Sequence, residues 1–267
     1  MAQQKGHVKY VGTIGDIRHF KIKGTKGYFA GMIGGPSAEQ IASDPAFKRT
    51  RENMNEFAGS ATTGKSLRSG IAGLIKTNGD SQVAGRITAI MKKINLEDGS
   101  EVRGQRAVLI SQVPNYLVGF EFNKFASFGG VFKGPYTITP AASRLSSTLN
   151  VAPLNPLDRM NIPAGATHYR LLNVLTVLSD FAYNGTTGNY EPVDSTVNEL
   201  TNIAESPYTP VNAITPNLSL VSTLPGTPTL SANVSVVNIV AVEFYQEVNG
   251  SYYQFPQGNA MKVATIF

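Results

Sequence analysis

The stretch that most constrains the fold is the run VSVVNIVAVEFYQEVNGSYYQF, residues 234–255. It is dense in β-branched and aromatic residues and free of proline, which suits a pleated, buried strand. It is interrupted by Asn249-Gly250, the dipeptide that accepts positive φ at both central positions of a type I′ turn. A hairpin is the natural product, and a hairpin commits this part of the chain to an antiparallel sheet. The same texture recurs from about residue 105 in YLVGFEFN, RLSSTLNVA, ATHYRLLNVLTVLSDF and PNLSLVST, with Pro and Gly between them. Asn184-Gly185 is a second candidate turn. Many short strands at this spacing predict an antiparallel β-sandwich over 105–267, Ig/fibronectin-like or jelly-roll-like.

The first hundred residues differ. HVKYVGTIGDIRHFKIKGTKGYFAGMIGG is Gly-punctuated and alternating, so Val8 and Tyr10, then Ile17, Phe20 and Ile22, then Tyr28 and Ala30 read as strands of a small β-meander. Helical periodicity follows. Ser43 or Asp44 is the expected N-cap, with Pro45 at the first helical position. Phe47, Met54, Phe57, Ala61, Gly64, Leu67, Ile71 and Leu74 mark the predicted apolar face, and Asn78-Gly79 ends it. A second helix is expected from Asp80 to Asp98-Gly99, striped by Val83, Ile87, Ile90, Met91 and Ile94. The two form a helical hairpin, whose small residues Gly59, Gly64, Gly70 and Gly73 permit close approach or a break. The expectation is an α+β chain with a boundary at 104/105: meander and basic helical hairpin in 1–104, sandwich in 105–267.

Inside the first helix, residues 59–66 read G-S-A-T-T-G-K-S, which satisfies G-x-x-x-x-G-K-[ST]. A P-loop needs an apolar strand delivering a Gly-rich turn, so that free backbone N–H groups wrap phosphate at a helix start. KRTRENMNEFA precedes this motif instead, charged and helix-periodic. Asp180, ending NVLTVLSD, is the one Walker-B-like partner, and it reads better as the end of a core strand. Nucleotide binding through 59–66 is therefore a remote alternative. His7, His19 and His168 show no zinc spacing, G-x-S-x-G does not occur, and the absence of cysteine excludes disulfides and thiolate chemistry. No cofactor is expected. The N-x-[ST] sequons at Asn184, Asn217, Asn233 and Asn249 fit a chain rich in those residues, and two of them have turn roles.

Apolar residues make up 42% and charged residues 15%, enough for a large core. No apolar run has the length of a membrane helix, and the N-terminus lacks an apolar signal core. Synthesis in the cytoplasm is expected, with an extracellular assembly or a phage particle as destinations. The net charge of +5 conceals an asymmetry. Residues 1–150 hold 20 Lys/Arg and 10 Asp/Glu, whereas 151–267 hold 3 and 8. The candidate basic contact surface is Lys48, Arg49, Arg51, Lys65, Arg68, Lys76, Arg86, Lys92 and Lys93, interrupted by Glu52, Glu56 and Asp80. Nucleic acid is a less favoured partner for it, because no reading motif accompanies the charge.

The segments GHVKYVGTIGDIRHF, with Lys9 and Gly12 to Gly15, and DPAFKRTREN, Asp44 to Asn53, carry a resemblance. The chain resembles a family of uncharacterised Bacteroidota proteins that open with a GTIG hairpin and a D-P-A-F-x-R-T-R-E-N helix. YLVGFEFN, IPAGATH and VEFYQEVNGSYYQF extend the likeness over most of the chain. The resemblance implies no activity and no ligand residues. The composition and charge split suit a non-enzymatic structural protein, a homo-oligomeric subunit joining charge-complementary N- and C-terminal regions into a filament, tube or virion-like particle. The alternative is a binding module for nucleic acid or surface carbohydrate, the latter through Tyr169, Tyr183, Tyr190, Tyr208, Tyr252 and Tyr253.

Overall fold

Short strands separated by glycines pair at the N-terminus into a meander: β1 (Ala2–Gln3), β2 (Gly12–Ile14), β3 (Ile17–Phe20) and β4 (Phe29–Met32), in the antiparallel order β1-β4-β3-β2. Val8 and Tyr10, expected in a strand, lie in the loop before β2. A short helix α1 (Ala38–Ser43) follows, started by a reciprocal capping box between Ser37 and Gln40. Asp44 then caps a 3₁₀ turn at Pro45–Phe47 by accepting from the Ala46 amide. The computed structural model describes all residues, Met1–Phe267, and divides them into two compact units, Met1–Arg51 and Glu52–Phe267. No residue of the first unit is buried.

The helices come next: α2 (Lys48–Gly70), α3 (Ala72–Asn78) and α4 (Val83–Glu97). The expected single helix thus breaks at Ile71. Beyond them run α5 (Phe128–Val131), β5 (Tyr136–Pro140), β6 (Ser146–Val151), α6 (Pro156–Arg159), β7 (His168–Ser179), β8 (Phe181–Asn184) and β9 (Asn189–Pro192). The chain ends with β10 (Thr201–Glu205), β11 (Thr209–Pro210), β12 (Leu218–Thr223), β13 (Val234–Val248), β14 (Ser251–Gln254) and β15 (Ala260–Ile266). The main sheet has the order β10-β7-β13-β14, with β11 also on β7 and β15 on β13; β12-β6-β5 form a second sheet and β8-β9 a separate hairpin.

The two long strands, β7 and β13, pair with Leu172 opposite Ala241 and Val174 opposite Ile239. These side chains point to one face, where they pack with Leu67, Ile71, Ile87 and Met91 of the helices. The alternate set, including Leu171, Val240, Val242 and Phe244, packs with Leu149, Val151 and Leu220 of the second sheet. Both faces are therefore covered, and the first twelve residues of β13 are all buried. Strands buried on both sides read as continuous apolar runs, which is how β7 and β13 appear in sequence. Between the sheets Asn238 donates to the Asn173 side chain (2.7 Å), and Asn173 donates to the Leu220 carbonyl (2.9 Å). Satisfied buried amides of this kind penalise a slipped register, since a shift would leave them unpaired.

The fold is thus α+β with several antiparallel sheets and sandwich-like packing. A helical layer on the outer face of the main sheet is what a two-sheet Ig-like or jelly-roll reading leaves out. The compact units part at 51/52 and not at 104/105, because α2–α4 share one core with β7, β13 and β15. YLVGFEFN is not a strand: Pro114–Tyr116 is a 3₁₀ turn, and the backbone beyond it borders β15 through Gly119 N to Val263 O (2.8 Å) and Phe122 N to Met261 O (2.9 Å). Its alternation is real, because Phe122 is buried on the helix side. Asn249-Gly250 closes β13–β14 as expected, at φ 52° and 81°. Asn184-Gly185 does not make a two-residue turn; a four-residue loop joins β8 to β9 with positive φ at Gly188. No helix is long and apolar enough to cross a membrane.

Candidate functional site

The G-x-x-x-x-G-K-S segment lies wholly within α2, so its backbone N–H groups belong to the helix ladder and no phosphate-wrapping turn exists. Its glycines have packing roles. A Cβ on Gly59 would stand 2.5 Å from the Tyr190 ring, one on Gly64 3.1 Å from Ile87, and one on Gly70 2.5 Å from the Thr176 hydroxyl. Ser60 and Thr63 turn their hydroxyls back onto the carbonyls of Glu56 and Gly59. The buried face of α2 is therefore Glu56, Gly59, Ser60, Thr63, Gly64, Ser66 and Leu67. That corrects the predicted face, since Met54 and Phe57 are more than half exposed. Small residues allow a close approach, and the helix rotates to present them. Asp180 is buried, accepting from the Ser111 amide (2.9 Å) and hydroxyl; its burial pushes the carboxyl above the ordinary aspartate value despite those bonds.

The nine basic residues are dispersed. Arg51 donates to the Ile41 and Asp44 carbonyls, Arg68 to Gly64 O, Arg86 to Asp80 and two carbonyls, and Lys92 to Glu56 and Asn95. Lys48, Lys65, Lys76 and Lys93 are exposed without such bonds, and Arg49 is also exposed. Glu56 is the hub of this region, receiving Lys92, the Gly104 amide (2.7 Å) and, at 3.8 Å, Arg106. Burial alone would raise its carboxyl; the Lys92 and Gly104 bonds and both cations outweigh that and hold it below the ordinary glutamate value.

Nor do the six tyrosines form one platform. Tyr169 is buried and bonds Thr215. Tyr190 is buried over Gly59, and Tyr183 meets its edge at 5.6 Å. Tyr208 stacks on Tyr252 at 4.0 Å and 8°, with Arg170 5.5 Å from the Tyr208 ring and His168 edge-on to Tyr252. Arg170 in turn binds the buried Glu243 (3.0 Å) and the exposed Glu205. Tyr208 is thus contacted by Tyr252 and Arg170, while Tyr252 remains 39% exposed. Tyr253, 61% exposed, has no such ring partner.

The meander is organised differently. Register places Ile14 opposite Ile17 and Ile17 opposite Met32. Opposed residues share a face, so the three form one row across three strands. They are 58%, 45% and 81% exposed. The reverse face carries Arg18 with Phe20 and Phe29, whose rings stack at 6.2 Å. Residues 1–51 hold nine Lys/Arg and three Asp/Glu, a net +6. Sequence alternation made the strands visible, but the lack of any covering layer is a fact of packing. No protein-family model, curated protein or solved structure matches the chain.

Proposed function

We propose that the chain is a non-enzymatic structural protein, a self-assembling subunit of a homo-oligomeric filament, tube or virion-like particle, with the N-terminal meander as its docking element. The observation that carries this reading is the exposed Ile14–Ile17–Met32 row in a unit without a single buried residue. A small sheet needs a covered apolar face to be stable, and an uncovered one is an interaction surface. Charge selects the partner. Two N-terminal units, residues 1–51, face to face would oppose +6 with +6. Residues 151–267 instead offer eight carboxylates against three cations, and of the eight only Asp180 and Glu243 are buried. A basic element on one copy and an acidic surface on the next form a heterologous contact, which propagates unless its rotation closes a ring. Light scattering of the full chain across protein concentration tests the reading at low and high salt. Large species that shrink as salt screens the charges are expected. A monomer at every concentration and both salts would overturn it.

A further inference from the structure

A second feature lies entirely within the larger unit. A cleft of about 860 Å³ opens between the loop after α3, the segment 123–131 and the loops 161–164 and 255–258. That volume is in the range of small-molecule sites. Its walls are held by internal bonds. Asn259, buried, donates to the Phe255 carbonyl (2.7 Å) and accepts from the Phe244 amide (2.9 Å), while the Asn161 amide donates to Val131 O (2.8 Å). Gly258, at φ 88°, packs so closely on Pro163 that a Cβ would fall 2.3 Å from the proline ring. The two loops therefore meet in a fixed register.

The lining has a consistent chemistry. Phe125 and Phe255 line it together with Ser81, Asn161 and Gln257, whose side chains make no hydrogen bond within the protein. Lys124 Nζ lies 4.8 Å from the Phe125 ring, and Phe255 packs in part against the inter-sheet core, so one ring face of each is open to a ligand at most. Phe125 is 81% exposed at the mouth, a position that costs hydration free energy unless something covers it. The one carboxylate in the lining, Asp80, is committed to Arg86 and to the amides of Gln82 and Lys124. Lys124, whose ammonium lies over the Phe125 ring, donates to the Gln82 side chain (2.7 Å), so both charges at the cleft already have partners within the protein. We propose that this cleft binds a neutral saccharide, its C–H faces lying on Phe125 and Phe255 and its hydroxyls exchanging hydrogen bonds with Ser81, Asn161 and Gln257. Amides suit hydroxyls because each offers both donors and an acceptor. This goes beyond the assembly reading and does not depend on it.

Isothermal titration of the full chain with a panel of neutral glucose, mannose and galactose oligosaccharides at millimolar concentration tests the proposal. Binding of at least one member is expected, weakened about tenfold, or ~1.4 kcal/mol, by Phe125→Ala. Gln257→Ala should weaken it as well, and Tyr253→Ala should leave it unchanged. Phe125 is exposed, so the variant's melting temperature should match the parent's. No binding by any panel member, or an undiminished affinity in Phe125→Ala, overturns the proposal. So does a change in oligomer size caused by Phe125→Ala, because the cleft would then hold a second copy of the chain. A parent chain that binds a saccharide yet stays monomeric at every concentration and both salts would count against the assembly reading alone.

Discussion

The N-terminal meander and the β7–β13 pair are both antiparallel structure, yet one has no buried residue and the other is almost wholly buried. The difference lies in what covers them. Pairing satisfies backbone hydrogen bonds in both, while stability comes from apolar area removed from water, which only the second gains within the chain. Helices shield one face of β7–β13 and a three-stranded sheet the other. In the meander, Ile14, Ile17 and Met32 stay exposed.

The largest expected effect of this contrast is on hydrogen exchange. In dilute protein the amides of β2–β4 should exchange about 10³-fold faster or more than those of Leu172 to Val177, reflecting local against global opening. Equal protection would erase the distinction. Side-chain truncation should follow the same division. Phe244→Ala, in the inter-sheet core, is expected to cost about 3–5 kcal/mol in denaturant unfolding. Phe20→Ala, on the half-buried meander face, should shift the same transition by less than about 0.5 kcal/mol.

Buried charge sharpens the contrast next. Glu56→Gln removes the anion under Lys92 and Arg106 and should cost about 3 kcal/mol near neutral pH. The folded carboxyl titrates below its unfolded value, so its contribution is complete above the ordinary glutamate pKa, about 4.3, and is lost as pH falls through the depressed folded value. The gap between Glu56→Gln and the parent should therefore narrow in acid, as read by denaturant midpoints against pH. The helix α2 repeats the contrast between a covered and an exposed position within one element. Gly59→Ala must push into Tyr190 and should lower stability by about 1–3 kcal/mol, whereas Lys65→Ala should stay within about 0.5 kcal/mol. An ATP-induced thermal shift abolished by Lys65→Ala would contradict the helical reading of that segment.

Local chemistry carried much of this fold into the sequence. Asn249-Gly250 announced its hairpin because few other residue pairs accept positive φ twice in succession. The stripe Val83, Ile87, Met91 and Ile94 announced α4 because an amphipathic helix leaves a 3.6-residue period. What lay hidden depended on partners distant in sequence. The face of α2 differs from its apolar stripe because Gly59 and Gly64 bury through fit against Tyr190 and α4, and hydrophobicity does not record fit. YLVGFEFN alternates like a strand, but Pro114 and the edge of β15 decide its path. The cleft was invisible for the same reason, since its lining comes from four separated loops.

The central claim is that the meander's apolar row docks on a second copy of the chain. Sedimentation velocity of the parent and of an Ile17→Asp/Met32→Asp double variant tests it most directly. The parent should form large, salt-sensitive species, and the variant should sediment as a monomer with an unchanged melting temperature, because neither side chain is buried in the chain itself. A parent that stays monomeric, or a double variant that assembles like the parent, would contradict the account.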